Sequence, residues 1–392
     1  MYLKLLHLRS FRNYVNQQVE FKAQKTILVG NNAQGKSNLL EAVELLATLK
    51  SHRAIRDRDL ILEGATVGQI LAMLERSYGE SELAITLRSS GRRTLILNQE
   101  LVRRQIDFLG VLNAVQFSSL DLELVRGAPE CRRNWLDNLL VQLEPIYAHI
   151  LHQYHQVLRQ RNALLKDIRQ KETEARSSES QTTDIKSALS QLELWDRQLA
   201  ETGARVTRRR ARVVERLAPL AQVWHESISG KTEILEIKYV PNVSWIDDEP
   251  AIVQQAFLEK IEQRRIAEQQ LGTTVVGPHR DEVEFRINQT PAKSYGSQGQ
   301  QRTLVLALKL AELKLIEEVV GEPPLLLLDD VLAELDLNRQ NQLLEAIQDR
   351  FQTLITTTHL NSFDAQWLKS SQILCIKAGK IDVIDEKVTG DW

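Results

Sequence analysis

One octapeptide narrows the possible folds of this chain more than anything else in it. Gly30-Asn31-Asn32-Ala33-Gln34-Gly35-Lys36-Ser37 matches G-x-x-x-x-G-K-[ST] in full. The apolar Ile27-Leu28-Val29 precedes it, and Leu39 to Leu49 follows with helical spacing, so the segment reads strand, glycine loop, helix. The chemistry needs that order. Small residues let successive backbone N–H groups wrap phosphates, and the helix start adds a fixed positive end. In this reading Lys36 holds the β- and γ-phosphates of ATP, Ser37 ligates Mg²⁺, and Asn38 continues the nucleotide-binding segment into the helix. A chance glycine turn is the competing reading, and the flanking strand and helix argue against it.

Two further signals lie near the other end of the chain. Leu325-Leu326-Leu327-Leu328 ends in Asp329-Asp330. A short, wholly apolar run ending in acid reads as a central parallel strand buried on both faces. Its C-terminal end is where open α/β sheets place ligands. Asp329 is then a Mg²⁺ ligand, and Asp330 the group that polarises the attacking water. Alone, such a strand reads equally well as structural; beside the glycine loop it does not. Ser297-Gln298-Gly299-Gln300 opens a helix expected over about 298–318. It is a capping box, S-x-x-Q, and a helix start is also an anion site, so Ser297 serves both readings.

Between these ends the texture changes. Residues 1–130 read as mixed α/β, with strand-like runs at 66–76 and 82–97 and a turn at Ser89-Ser90-Gly91. Residues 131–270 read as an inserted helical arm domain. Leu136, Leu139, Leu143, Ile146 and Ile150 share one helix face, and Leu189, Leu192, Trp195 and Leu199 share another. The serine-rich KETEARSSESQTTD between them reads as a mobile connection, and Pro219 as the end or kink of the second helix. From 271 to 392 the α/β texture returns, with a strand at Thr353–Thr357 and a helix near 338–349. The expected fold is α/β: a P-loop ATPase head interrupted by a mainly helical domain.

Composition limits function. Fifty basic residues against fifty-two acidic leave a net charge of −2, so any nucleic-acid surface is a local patch. The basic run on the second arm helix supplies one, with Arg205, Arg208, Arg209, Arg210, Arg212 and Arg216. It is read either as a phosphate-tracking patch for DNA or as a helix face satisfied by internal ion pairs. Aromatics at 5% leave little for a base-stacking platform. Cys131 and Cys375 stand far apart, which excludes a disulfide framework and a cysteine-rich zinc site and fits a reducing cytoplasm. The opening MYLKLLHLRSF, broken by Lys4, His7 and Arg9, lacks a signal-peptide core. No run of about 18 apolar residues spans a membrane. The expected location is the cytoplasm.

The serine helix start shortly before an acidic strand resembles the ATP-binding cassette superfamily. There such a serine closes over the γ-phosphate bound by the opposite subunit. That resemblance implies a role for Glu334-Leu335-Asp336 as the loop after the acidic strand, and for His359 as a γ-phosphate sensor. It also implies that Gln116 links Mg²⁺ to the helical lobe; by itself a lone glutamine or histidine reads as ordinary polar surface.

The whole set resembles the RecF family of bacterial recombination mediators. The likeness runs through Phe11-Arg12-Asn13-Tyr14, then Gly127-Ala128-Pro129 with Arg132-Arg133 and Trp135-Leu136-Asp137. It continues through Gln160-Arg161-Asn162, Gly277-Pro278-His279-Arg280-Asp281, Ser297 to Thr303, and Asp329-Asp330 to Asp336 and Arg339. Ser119-Leu120-Asp121-Leu122 departs from the family's Pro-Glu-Asp-Leu and puts that turn in doubt. The resemblance implies an ATP-dependent homodimer on duplex or gapped DNA or at single-strand/double-strand junctions, with slow, DNA-dependent ATP hydrolysis. It implies action with RecR and RecO in loading RecA, and a link to the SOS response. Three rivals share the phosphate motifs. A transporter-type ATPase subunit has its serine motif much sooner after the glycine loop than Ser297 stands here. An SMC-like structural clamp needs far longer heptad runs. A small-molecule kinase has no use for Ser297 and Gln300.

Overall fold

A computed structural model describes residues 1–54, 56–174, 182–347, 350–363 and 365–383. Strands β1 (Tyr2–Phe11) and β2 (Tyr14–Glu20) form a hairpin. On its β1 side, β4 (Val67–Arg76), β5 (Gly79–Arg88), β6 (Thr94–Leu97) and β7 (Glu100–Val102) complete a six-stranded antiparallel sheet. A second sheet holds β15 (Lys380–Val383), β14 (Ser371–Lys377), β3 (Lys25–Val29), β13 (Thr353–Thr357), β12 (Leu325–Asp329) and β8 (Ala114–Ser118), in that order. Its pairings are parallel except β14 with β15. Strand β12 is interior, with β13 on one side and the edge strand β8 on the other, and all four of its leucines are buried. That is the environment an uninterrupted apolar run requires.

The helices are α1 (Lys36–Thr48), α2 (Glu123–Arg126), α3 (Pro129–Leu143), α4 (Ile146–Glu174) and α5 (Thr182–Ile228). They continue with α6 (Pro250–Leu271), α7 (Ala292–Tyr295), α8 (Gln298–Val320), α9 (Leu337–Ile347) and α10 (Ala365–Lys369). Helices α4 and α5 form the expected hairpin, and Leu165, Ile168, Ala188 and Leu192 make a small apolar core near its tip. Both helices reach further into the polar connection than its composition predicts; 175–181 lie outside the described residues. Helix α5 does not end at Pro219 but continues to Ile228. Pro219 is exposed while Leu217 and Ala221 beside it are fully buried, so packing of the apolar face outweighs one lost backbone hydrogen bond. Ser119–Leu122 forms a 3₁₀ turn capped by Ser118 and Asp121, whose carboxylate accepts the Ser118 N–H at 2.7 Å. Among the described residues no helix is long and apolar enough to cross a membrane.

The expected boundary near 270 cuts a sheet. Strand β10 (Glu282–Ile287) pairs antiparallel with β9 (Leu235–Val240) on one side and with β11 (Thr290–Pro291) on the other. The arm is therefore joined to the head by backbone pairing, and Arg132 of α3 reinforces that junction, while Arg161 ties helices together within the arm. Arg132 grips Glu282 with two bonds of 2.7 Å. Arg161, 1% exposed, donates to Asp196 at 2.8 Å, Glu268 at 2.6 Å and Thr274 at 2.8 Å. The turn at Gly277–Asp281 is structural. Buried Asp281 accepts the Asn242 N–H at 2.7 Å and the hydroxyls of Tyr239 and Thr207.

His279 in that turn is pinned at both nitrogens. Its Nε2 lies 3.1 Å from the Thr274 carbonyl, which can only accept, so Nδ1 accepts from Tyr154 Oη at 2.5 Å. Burial pulls the imidazole down from 6.5 to about 4. The stability this gives is present above pH 6.5 and is lost as pH falls from 6.5 towards 4, because only the unfolded chain takes up the proton there. Between pH 7.5 and pH 5 the wild type should lose on the order of 2 kcal/mol from this group. His279→Gln should lose correspondingly less over the same interval, as read from urea midpoints.

Candidate functional site

Strand β3 ends at Val29, and the glycine loop carries the chain over the sheet edge into α1. Two glycines are sterically required. A Cβ on Gly30 would lie 2.3 Å from the Ile376 carbonyl oxygen, and one on Gly35, whose φ is 119°, would lie 2.7 Å from Asn13 Nδ2. The Arg12–Tyr14 turn clamps the loop from outside. Tyr14 Oη donates to the Gly35 carbonyl at 2.9 Å, and Asn13 Nδ2 donates to that of Gln34 at 2.8 Å. Asn38 Nδ2 donates to Asn13 Oδ1 at 2.8 Å, and Arg12 holds the buried Glu41 of α1 with bonds of 2.8 and 2.7 Å. Gln34 Oε1 accepts the Ala378 N–H at 2.7 Å. Ala33 takes a left-handed φ of 62°. Inside the loop the buried Lys36 ammonium donates to the carbonyls of Gly30 at 2.8 Å and Asn31 at 3.1 Å.

The acidic strand reaches this loop directly. Ser37 Oγ donates to Asp329 Oδ1 at 2.7 Å. Thr356 Oγ1 donates to the same oxygen at 2.8 Å and accepts the Asp330 N–H at 2.8 Å. Parallel register sets these contacts, since Asp329 faces Thr356 and Thr357 faces Val29. Asp330 turns out of the strand with φ 54°. Burial raises its carboxyl above the usual range, Lys36 opposes that rise, and Asp329 adds to it. Thr356 carries no motif in the sequence; its only signal is the β-like run Thr353–Thr357. His359 follows on the same edge, exposed, with its N–H donating to Thr357 Oγ1 at 3.2 Å. The hydroxyl and carboxylate of Ser37 and Asp329 are hard oxygen donors of the kind Mg²⁺ takes.

Ser297 caps α8 as its spacing predicts. Its hydroxyl accepts the Gln300 N–H at 3.2 Å, and Gln300 Oε1 accepts the Ser297 N–H at 2.8 Å. Gln300 Nε2 donates to Glu233 at 2.8 Å. Arg339 ties this helix start to the loop after β12. It pairs with Asp336, and it donates to Thr303 Oγ1 at 2.9 Å and to the Gly299 carbonyl at 3.2 Å. Ser297 is exposed, and its described hydrogen bonds stay within its own helix start.

One sequence expectation needs correction, and one open alternative is decided. Gln116 is not brought to the Ser37–Asp329 pair. It faces Leu327 in β8, while Ser118 faces Asp329, so it sits two residues back, about 6–7 Å along the strand. Its amide nitrogen lies 3.5 Å from His52 Nε2 in a separate cleft. Of the two readings of the arginine cluster, the internal ion pairs are the one the geometry supports for Arg208, Arg209, Arg210 and Arg212. Arg210 is buried, with bonds of 2.8 and 2.9 Å to Asp137 and 2.6 Å to the Pro278 carbonyl. Arg208 and Arg212 share Asp248, and Arg209 pairs with Glu144. Helical periodicity spreads six arginines around α5, so some of them must meet the core; Arg205 and Arg216 carry the rest of the run.

Known proteins resemble this chain over nearly its full length. The family profile described as RecF/RecN/SMC N terminal domain matches residues 2–377. The DNA replication and repair protein RecF of Gloeothece citriformis (strain PCC 7424) is 78% identical over 381 residues, covering 97% of this chain and 99% of that protein. RecF of Nostoc punctiforme (strain ATCC 29133 / PCC 73102) is 71% identical with the same coverage. A solved structure of the recombination mediator protein RecF-ATP in the RecFOR pathway is 31% identical, with TM-score 0.86 and 98% of each chain covered. A Pyrococcus furiosus Smc head domain with an extended coiled coil is 16% identical, with TM-score 0.53 over 98% of this chain and 96% of that one. It shares the fold.

Arg210→Ala should cost about 3–5 kcal/mol of stability, because it strands the Asp137 carboxylate in the interior. Guanidinium unfolding curves measure this directly.

Proposed function

The chain belongs to the RecF family, within the RecF/RecN/SMC group, and on that premise we propose that it is an ATP-controlled DNA-binding protein of recombinational repair. The observation that carries this reading is the meeting of Lys36, Ser37, Asp329 and Asp330 at one sheet edge, with Ser297 exposed at a helix start of its own. A site whose serine stands open is completed most simply by a second copy. Two chains then enclose two ATP molecules, each held by the glycine loop of one protomer and capped by Ser297 of the other.

In this mechanism the loop N–H groups and Lys36 bind the β- and γ-phosphates, while Ser37 and Asp329 hold Mg²⁺, which neutralises phosphate charge. Asp330 accepts the proton of the attacking water. Its raised carboxyl suits that work, but aspartate is one methylene shorter than glutamate, so its reach is limited and hydrolysis is slow. His359 and Asp336 stand on the loops facing the γ-phosphate and the partner. Contacts that only the closed dimer makes to the γ-phosphate shift the equilibrium towards closure, and hydrolysis releases them. On DNA, with RecR and RecO, such a cycle times the loading of RecA at single-strand gaps and couples to the SOS response. Arg210 takes no part in DNA contact. A transporter-type subunit does not account for a family match that runs through the arm.

Light scattering with and without ATP–Mg²⁺ should give a monomer that becomes a dimer only with nucleotide. Lys36→Arg should stay monomeric under both conditions, and an ATP-indifferent mass in the wild type would refute the sandwich. Asp330→Asn should still dimerise with ATP but hydrolyse it about a hundredfold more slowly, as measured by phosphate release with duplex DNA present.

A further inference from the structure

The arm's second helix ends beside the serine helix start. After α5 finishes at Ile228, the chain turns at Gly230 and enters β9, and Glu233 lies in that connection. Its two carboxylate oxygens face different partners. Oε1 accepts from Gln300 Nε2 at 2.8 Å, and Oε2 lies 3.5 Å from Nε2 of His225 on α5. His225 is fully buried, and neither of its ring nitrogens has a hydrogen-bond partner. Behind it, Gln342 of α9, the helix that follows Asp336, reaches the Ser227 carbonyl at 3.5 Å. The end of the arm therefore borders both the serine helix start and the helix after the acidic strand.

The direction of the Gln300 amide explains why Glu233 matters. The amide presents an acceptor oxygen at one end and a donor nitrogen at the other. Its oxygen must face the Ser297 N–H to close the capping box, and a carboxylate at the nitrogen end permits only that orientation. With the carboxylate removed, the amide can flip. A flipped amide sets its NH₂ against the Ser297 N–H and opens the cap at the residue that meets the partner's nucleotide.

We propose that Glu233 is a positioning residue for the nucleotide-capping serine: it fixes the Gln300 amide, and through it Ser297, so the end of the arm sets the geometry of the composite ATP site. The inference rests on the nucleotide sandwich proposed above. The described side-chain partners of Glu233 are Gln300 and His225, neither of them in the glycine loop of its own protomer. Its effect therefore falls on the site formed by the partner's glycine loop.

Mixed protomers test this. Glu233→Ala should bind a fluorescent ATP analogue as the wild type does, yet hydrolyse ATP with duplex DNA about tenfold more slowly. Glu233→Gln keeps an acceptor and should restore most of the rate. Mixing Glu233→Ala with Lys36→Arg should recover hydrolysis above the sum of the two alone, because one composite site then has an intact loop and an intact cap. A protomer that had merely lost its fold would give no recovery. Ser297→Arg mixed with Lys36→Arg is the control. Recovery in the control with none for Glu233→Ala, or full activity in Glu233→Ala alone, overturns the inference. Failure of the control itself overturns the sandwich on which the inference stands.

Discussion

Ser37 and Asp329 stand 292 residues apart in sequence and share a hydrogen bond of 2.7 Å. That bond forms only if the first and last parts of the chain build one sheet, with β3, β13 and β12 side by side in register. Thr356 closes the arrangement by donating to the same carboxylate oxygen. Hydrogen bonds to a charged group contribute about 1.5–3 kcal/mol each, which suits a carboxylate at the end of an otherwise apolar strand. Apart from β8, which pairs with the far side of β12, the chain between residues 37 and 325 lies outside this sheet and must return to it without disturbing that register.

The return is managed with buried charge. Arg132 and Arg210 pair with carboxylates where α3 meets β10 and α5, and Arg161 does so between α4, α5 and α6 inside the arm. Buried pairs of this kind add little net stability, but breaking one is costly, so they favour one docking of the arm over near alternatives. The arm then continues into α8 through β9 and β10, and Arg339 fastens the start of α8 to the loop after β12. The serine helix start is thus held from two directions, by the arm and by the acidic strand.

Much of this was legible in the sequence. The glycine loop, the apolar acidic strand and the capping box each declare their local structure, because each needs a fixed residue type at a fixed spacing. The fold class followed from finding two halves of one site at opposite ends of the chain. Less was legible where tertiary packing decides. The run of arginines on α5 admits two readings because sequence order hides the turn of about 100° between neighbours, and packing selects the ion-paired one where Arg210 enters the core. Pro219 reads as the end or a kink of the second helix, and α5 continues past it with the residue exposed. Gln116 was placed by analogy of position, and strand register sets it too far back. Thr356 carried no motif at all, since a threonine in a strand announces β propensity and not the carboxylate it will meet.

The central claim is that the glycine loop of one protomer faces the serine helix start of another only when ATP is bound. Crosslinking measures that proximity directly. Protein carrying Asn32→Cys is mixed with protein carrying Gln298→Cys, both with Cys131 and Cys375 replaced by serine, and treated with a short bismaleimide. A crosslinked dimer that forms with ATP–Mg²⁺ and not without it is the predicted result. A mass that doubles with ATP while these two positions fail to crosslink would contradict the account, because the chains would then be meeting through another surface.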